Sequence, residues 1–355
     1  MIDADVQGGV PPFEALVDRL PDHVRDFCAF TGYRGPEDVD HPLGDASPLP
    51  AGWPRECAQA IRRDVLDVPG TTAAIVNSGY PAAAVMNPDL SAAFAAAAND
   101  WQVAEVLDAD DRLFASIVLP NTVDLAVQEI ERCAADRRFV QILLPVRSMM
   151  PVGKRANHPI FAAAAEHGLA VALVFGGAGP NPPTSVGWPS RYVEEYVAYG
   201  ISCQSQIMSI IGEGVLGRFP ETRVVCAGCG WAWAPSLMWR MDKEWKGLRR
   251  EIPWVRRPPS EYVREHLRFT LSPVEVPDAA TLERTVEQLG SDELLLYSSG
   301  YPSPAPEGRS PQALLDALPA DRRERIATTN AQHFYGADRL QPAAGAASTY
   351  GRSQA

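Results

Sequence analysis

The sequence lacks the features that mark several large classes of protein. No run of about 18 apolar residues occurs in the 355 residues, and the opening segment Met1 to Val6 has no basic stretch, so we expect neither a membrane span nor a secretory signal peptide. Acidic residues outnumber basic ones by 44 to 32, and the formal net charge of −12 disfavours a nucleic acid partner. We therefore expect a cytoplasmic protein whose six cysteines are thiols.

What the sequence contains is a series of eight short apolar runs, most of them separated by helical patterns. The runs lie near residues 2–6, 72–76, 113–119, 139–144, 169–175, 222–227, 268–272 and 294–299. Strands that alternate with helices indicate a parallel sheet, and eight such units predict an α/β fold of the (β/α)8 TIM-barrel type. The runner-up is an open doubly wound sheet, which the absence of a G-x-G-x-x-G motif after the first run disfavours.

The chain reads as a single barrel domain over residues 1–340. Residues 8–70 are too many for a simple crossover, and we expect them to form an insertion over the barrel mouth. Residues 341–355 are small and polar, which predicts a disordered tail. Helices are expected over Asp89–Val106, Val123–Ala135, Pro159–His167 and Arg191–Arg218.

In a barrel of this type the active site lies at the carboxyl ends of the strands. That rule selects candidates directly from the sequence, strand by strand. The polar candidates are Asp5 and Gln7, Asn77 and Tyr80, Arg147, Cys229, Ser299 and Tyr301, and the apolar ones are Val174, Phe175 and Trp231. Of the six histidines, only His158 is placed at this rim by the predicted topology, and a surface position beside a helix start is the more common explanation of a lone histidine.

Five segments resemble the amidohydrolase-2 family. The opening Asp3–Gln7 is similar to the family's D-x-[HD]-x-H, and Leu296–Ser303 is similar to its L-[FY]-x-S-D-Y-P-H. The other segments are Phe219–Val225, Trp231–Asp242 and Asn330–Tyr335. The resemblance implies a (β/α)8 barrel and a metal-dependent decarboxylase, hydrolase or hydratase that acts on aromatic or unsaturated carboxylic acids.

The family's metal-binding pattern is not matched by these residues. The resemblance places the first-strand pair on Asp5 and Gln7, the strand-five histidine on Val174, the strand-six position on Gly228 and the strand-eight aspartate on Gly300. Valine and glycine offer no side-chain ligand, and a catalytic zinc needs about three protein ligands. We therefore expect no metal and no other cofactor. Zinc on the C-x-x-C pair Cys226 and Cys229 is a weak alternative, because residues three apart on a strand face opposite sides.

The leading hypothesis is a metal-independent lyase or isomerase acting on an aromatic or polyketide-like acid by decarboxylation, elimination or cyclisation. Asp5 is the candidate general acid or base, His158 or Tyr80 its complementary proton donor, and Cys229 a possible nucleophile. The substrate-binding candidates are Gln7, Asn77, Arg147, Val174, Phe175, Trp231, Ser299 and Tyr301, with Arg147 suited to a carboxylate and Phe175, Trp231 and Trp233 to an aromatic-walled pocket.

Two alternatives remain open at this point. One is a metal-dependent hydrolase or decarboxylase that binds its metal through Asp5 and an unforeseen ligand such as His41. The other is a non-catalytic descendant that binds a ligand or a partner through the loops 177–191 and 301–311. Each small-molecule reading is compatible with a homodimer, which barrels of the family often form through outer helices.

Overall fold

A computed structural model describes residues 1–36, 57–177, 182, 184–302 and 310–341. Eight parallel strands form one sheet in the order β1 to β8, which is the order of the chain. This confirms the predicted (β/α)8 barrel, and all eight expected strands are present. Their bounds are β1 Ile2–Gln7, β2 Ala73–Asn77, β3 Leu113–Val118, β4 Phe139–Pro145, β5 Ala170–Val174, β6 Val224–Ala227, β7 Leu267–Thr270 and β8 Leu295–Leu296.

Helices surround the sheet and follow each strand. They are α1 Phe13–Leu16, α2 Asp22–Thr31, α3 Cys57–Ile61, α4 Pro88–Gln102, α5 Val123–Cys133, α6 His158–Glu166, α7 Tyr192–Gly212, α8 Val215–Arg218, α9 Ala234–Leu248, α10 Pro259–His266, α11 Ala279–Leu289, α12 Pro311–Asp316, α13 Ala320–Glu324 and α14 Asn330–Tyr335. Short 3-10 or π-helical turns extend several of them, at Val17–Arg19, Arg62–Leu66, Ala82–Ala84, Val103–Leu107, Arg155–Asn157 and Arg325–Thr329. None of the described helices is both long and apolar enough to cross a bilayer.

The helix expected over Arg191–Arg218 is wrong in one respect, because it is two helices. The chain leaves α7 at Gly212 and enters α8 at Val215 through Gly214, which has a left-handed backbone. The indole Nε1 of Trp254 donates to the carbonyl oxygen of Gly212 at 2.7 Å and so satisfies a carbonyl at the end of α7.

The insertion after β1 is helical where it is described. It contains α1, α2 and α3. The ring of Tyr33, which follows α2, packs edge-on against the ring of Phe94 in α4, with 5.9 Å between the ring centroids. The described part thus lies against an outer helix. Residues 37–56, which include His41, and residues 342–355, which make up nearly all of the expected tail, lie outside the described residues.

The last contact of the barrel, between β8 and β1, depends on a carboxylate. The pairing of β1 with β2 shifts its register between Asp3 and Val6. Two backbone hydrogen bonds join β1 to the β8 side of the barrel, from Ala4 N to Tyr297 O at 2.9 Å and from Gln7 N to Tyr301 O at 2.8 Å. Between them, Oδ1 of Asp3 accepts from the amide of Ser299 at 3.1 Å. The carboxylate of Asp3 therefore adds a side-chain acceptor to the two backbone bonds of this seam.

Burial of Asp3 makes this seam sensitive to pH. Burial raises the pKa of Asp3 from 3.8 to about 7, against the opposing effect of the hydrogen bonds from Ser299 and Asp5. The folded chain thus holds a proton that the unfolded chain releases. The stability from Asp3 is complete below about pH 4 and is lost as the pH rises through about 7.

We expect Asp3→Asn to flatten the dependence of stability on pH. An asparagine keeps the oxygen that accepts from Ser299 and does not ionise. The free energy of unfolding, measured with urea from pH 4 to pH 8, should therefore fall less steeply in the variant than in the wild type. Asp111→Asn, which removes an exposed carboxylate, is the matched control. An unchanged slope in Asp3→Asn would contradict this role for the seam.

Candidate active site at the carboxyl ends of the strands

Asp5 stands at the centre of a group of polar side chains inside the barrel. Its Oδ1 accepts from Asn77 Nδ2 at 2.7 Å and from Gln7 Nε2 at 3.1 Å. The first two strands end side by side, and Gln7 pairs with Asn77 in their register. The structure thus brings together three residues that the strand-end rule selected independently.

The proton affinity of Asp5 is set by burial. Only 2% of the residue is exposed, and burial raises the pKa of Asp5 from 3.8 to about 6. The hydrogen bonds from Asn77 and Gln7 oppose that rise, because they stabilise the carboxylate. A carboxyl group with a pKa near 6 can exchange a proton at neutral pH, which is what a general acid or base requires.

The second oxygen of Asp5 lies close to Gly228, directly after β6. A Cβ at Gly228 would lie 3.3 Å from Oδ2 of Asp5 and 3.2 Å from Cβ of Phe175, which is tighter than side chains normally pack. Gly228 has a φ of +69°, and its amide donates to Thr270 Oγ1 at 2.9 Å. The glycine therefore allows the chain after β6 to approach both Asp5 and Phe175.

Phe175 belongs to an aromatic wall that it shares with α7. Its ring lies 4.1 Å from the ring of Tyr199 and 4.9 Å from the ring of Tyr196, measured between centroids. Burial raises the pKa of Tyr196, and the charge of Asp5 contributes to the rise, so Tyr196 lies on the side of the wall near Asp5. The aromatic wall thus consists of Phe175 and two tyrosines of α7, whereas the sequence predicts Trp231 and Trp233 beside Phe175.

Arg147 is held in a buried ion pair. Its Nη1 lies 3.3 Å from Oε1 of Glu195, which also accepts from Tyr199 OH at 3.3 Å, and its guanidinium lies over Trp188 at 5.3 Å. Gly177, with a φ of +108°, lets the chain after β5 approach Arg147, since a Cβ there would lie 2.2 Å from the Arg147 carbonyl oxygen. Arg147 is thus fixed in place, although loop arginines are commonly solvated.

Cys229 belongs to a cluster of three buried thiols. Both Cys226 and Cys229 hydrogen-bond Cys203 of α7, so both face the helix layer. The prediction that they face opposite sides is wrong, because β6 ends at Ala227 and the left-handed turn at Gly228 carries Cys229 back to the side of Cys226. Burial raises the pKa of Cys229 well above that of a free thiol, and its Sγ lies 3.3 Å from the Ala227 carbonyl oxygen. A buried thiol with this pKa is a poor nucleophile, so the suggested nucleophilic role is not supported.

A family model described as Amidohydrolase matches residues 15–337 of the sequence. The match covers most of the chain and includes seven of the eight strands. The chain belongs to the amidohydrolase family. This confirms the expectation of an enzyme of the amidohydrolase-related family.

Solved structures of decarboxylases share the fold of this amidohydrolase. They include 5-carboxyvanillate decarboxylase from Sphingomonas paucimobilis, with a TM-score of 0.66, 21% identity and coverage of 94% of this chain and 98% of that one. A 2,6-dihydroxybenzoate decarboxylase from Rhizobium matches with a TM-score of 0.65, 19% identity and coverage of 95% and 100%. A dihydroxybenzoic acid decarboxylase from Polaromonas sp. JS666 was solved with bound manganese and the inhibitor 2-nitroresorcinol. It matches with a TM-score of 0.68, 18% identity and coverage of 95% of this chain and 98% of that one. No curated protein matches the sequence significantly.

Two predicted proton donors of the amidohydrolase lie elsewhere. His158 begins α6, with Nε2 3.3 Å from the Gly153 carbonyl oxygen and its ring against Phe219, which precedes β6. It packs between outer elements because the loop after β4 runs outwards before α6. Tyr80 packs against Phe94 of α4, and its hydroxyl lies beside Gly35 of the insertion. The contacts of both side chains lie away from Asp5, so neither is placed as its partner.

The remaining substrate-binding candidates divide between the interior and the seam. Trp231 is fully buried, and its Nε1 donates to the Leu271 carbonyl oxygen at 3.1 Å, so it packs behind β6 and β7 and does not line an open pocket. Val174 is a buried residue of the apolar interior. Ser299 belongs to the β8–β1 seam, and Tyr301 OH donates to Asp64 of the insertion at 3.1 Å.

A metal of the kind bound in the related manganese structure does not fit the side chains around Asp5. No group of three or more His, Cys, Asp or Glu side chains within the described ranges is arranged to hold a metal ion. Gln7 uses its amide nitrogen on Asp5, Val174 is apolar, and Gly228 and Gly300 have no side chain. A stable catalytic site needs about three such ligands. The described side chains around Asp5 therefore do not supply the ligand set of a catalytic metal.

Sequence reasoning missed the contribution of α7 to the site. Glu195, Tyr196 and Tyr199 lie within about one turn of α7, and the sequence predicts only a helix over this segment. Glu195 is buried in the structure, where it pairs with Arg147, and this pairing is not visible in the sequence.

Proposed function

We propose that this amidohydrolase-family enzyme is a lyase that decarboxylates an aromatic acid, with Asp5 as the proton donor and without a metal at the site of Asp5. One observation carries the proposal. Oδ2 of Asp5 and Cβ of Phe175 both lie within 3.3 Å of the position that a Cβ of residue 228 would take, so the second oxygen of the acid lies next to the aromatic wall. A substrate ring that stacks on this wall would place a ring carbon near the acid.

The reaction replaces the carboxylate of the ring with a proton. Asp5 in its acid form donates its proton to the ring carbon that carries the carboxylate. The bond from that carbon to the carboxylate then breaks, its electron pair returns to the ring, and carbon dioxide leaves. Asp5 recovers a proton from water, so each turnover consumes one proton and no oxidant or reductant.

The surroundings of Asp5 suit this step. The pKa of about 6 keeps a fraction of Asp5 protonated at neutral pH. Gln7 and Asn77 bind the other oxygen, Oδ1, and so leave Oδ2, on the side of Phe175, as the proton-donating oxygen. Arg147 stays our candidate for orienting the substrate carboxylate. The fold shared with aromatic acid decarboxylases supports the same class of substrate.

Asp5→Asn tests the proposed chemistry. We expect a loss of kcat of about 100-fold or more, because a positioned general acid contributes roughly that factor. In the wild type, kcat should fall as the pH rises through about 6, since only the protonated acid donates. Release of carbon dioxide from a panel of hydroxybenzoates and carboxyvanillates would measure both effects.

The matched control is Asp3→Asn, the same change at the neighbouring acid that faces the β8 seam. It should retain most of the turnover. Decarboxylation that is unchanged in Asp5→Asn would remove Asp5 from the mechanism. Absence of turnover of every ring-bearing acid by the wild type would contradict the substrate class.

We also propose that the enzyme is a cytoplasmic homodimer. All six cysteines are free thiols, as expected for a reducing compartment. For the dimer, the support is one face of α7, which exposes Val193, Val197, Ile201 and Met208 by 67%, 63%, 53% and 44%. From Tyr196 to Gly212 the helix has no charged residue. Two copies with a net charge of −12 can approach there without placing like charges together, and a helix face is readily self-complementary about a twofold axis.

Ile201→Lys should convert the dimer to a monomer. The substitution places two ammonium groups close together in the interface, which costs more than it does on a free surface. Light scattering coupled to gel filtration measures the mass. Phe30→Lys, on the exposed face of α2, is the control and should stay dimeric. A wild type that is monomeric at micromolar concentration would overturn this interface.

A further inference from the structure

A chain of buried hydrogen bonds connects Asp5 to the far end of the barrel. Asn77 donates to Asp5, and Oδ1 of Asn77 accepts from Gln141 Nε2 at 3.0 Å. Oε1 of Gln141 in turn accepts from the hydroxyl of Tyr335 at 2.8 Å. Ser116 completes the network, because its hydroxyl accepts from Gln141 Nε2 at 2.9 Å and donates to Asn77 Oδ1.

The chain passes through an otherwise apolar interior. Asp5, Asn77, Ser116 and Gln141 come from the consecutive strands β1 to β4, and none is more than 2% exposed. The facing interior side chains of β5 and β6, such as Ala172 and Val225, are apolar. Tyr335 enters from α14, with Phe334 and Ala331 of that helix in the same apolar cluster. Polar groups placed this deeply are costly unless each finds a partner, so the partners are fixed relative to one another.

Every bond in this chain points towards Asp5. The phenol donates to an amide oxygen, that amide donates to the next amide oxygen, and the second amide donates to the carboxylate. The orientation of each amide therefore depends on its neighbour. If the amide of Gln141 turned over, Asn77 Oδ1 would lose one of its two donors, and Ser116 alone would hold the amide of Asn77 in the orientation that donates to Asp5.

The phenol of Tyr335 fixes the direction at the far end. A phenol donates a hydrogen bond more strongly than it accepts one, which favours the amide oxygen of Gln141 on its side. Burial raises the pKa of Tyr335, so its proton is retained. The hydroxyl can therefore act as the donor that begins the chain at any physiological pH.

We propose that Tyr335 is a positioning residue for Asp5: through Gln141 and Asn77 it keeps an N–H donor on the carboxylate that the proposed decarboxylation uses. The effect of Tyr335 on catalysis rests on the proposed function, whereas its effect on the orientation of the two amides does not. Tyr335 donates to Gln141 and does not itself bind the carboxylate of Asp5. It acts on the reaction by setting how readily Asp5 gives up its proton.

The test measures the ionisation of Asp5 without any substrate. The full chain is labelled with carbon-13 at the aspartate carboxyl groups and titrated by NMR, and Asp5→Asn identifies the Asp5 resonance. Tyr335→Phe should raise the Asp5 pKa by about half a unit, because the carboxylate loses part of its stabilising donor. Gln141→Leu, which interrupts the chain at its middle, should raise the pKa at least as much.

Two comparisons separate positioning from loss of structure. The double variant should show the same Asp5 pKa as Gln141→Leu alone, since a chain already interrupted cannot be interrupted again. Tyr262→Phe removes the hydroxyl of a buried tyrosine outside the barrel interior and should leave the Asp5 pKa unchanged.

An unchanged Asp5 pKa in both Tyr335→Phe and Gln141→Leu would overturn the proposal, and so would an equal shift in Tyr262→Phe. Because the measurement needs no turnover, it separates this inference from the proposed reaction. A shifted pKa together with full activity of Asp5→Asn would leave the chain of amides standing and reject only the decarboxylation.

Discussion

Burial of the two carboxylates of β1, Asp3 and Asp5, is the constraint on which the rest of the structure depends. No cation among the described residues contributes to the pKa of either one, so burial leaves both pKa values raised, to about 7 and about 6. Backbone and side-chain N–H groups compensate instead. Asp3 accepts from Ser299 and thereby helps to join the ends of the sheet, and Asp5 accepts from Asn77 and Gln7. One strand thus supplies both a structural and a chemically active acid.

Polar and apolar side chains occupy different sides of the barrel interior as a result. Strands β1 to β4 bring the polar side chains that stabilise Asp5, whereas β5 and β6 bring small apolar ones and are followed by Phe175 and Gly228. An acid with one oxygen held and the other facing an aromatic wall is suited to giving a proton to a ring. Val174, Gly228 and Gly300 offer no side-chain ligand to a cation, so the acid chemistry that we propose relies on the carboxylate of Asp5 itself.

The fold could be predicted from the sequence because the buried parallel strands are short runs of mainly apolar residues, and eight such runs recur along the chain, most of them separated by helices. The strand-end rule also placed Asp5, Gln7, Asn77 and Phe175 correctly in one region. It failed where a loop decides the direction of a side chain: the chain turns at Gly228 and carries Cys229 towards α7, and the loop after β4 carries His158 outwards. The contact between Gln141 and Tyr335 joins residues 194 positions apart, and no local pattern predicts such a pair.

The central claim is that Asp5 performs the chemistry of this barrel without the metal that the manganese-bound relative contains. Turnover of the aromatic acid by purified protein, before and after treatment with a strong chelator and after addition of manganese, tests it most directly, with the metal content measured on the same samples. The account predicts less than about one tenth of an equivalent of bound metal and a rate that neither treatment changes. Stoichiometric metal, with activity lost on chelation and restored by manganese, would contradict it.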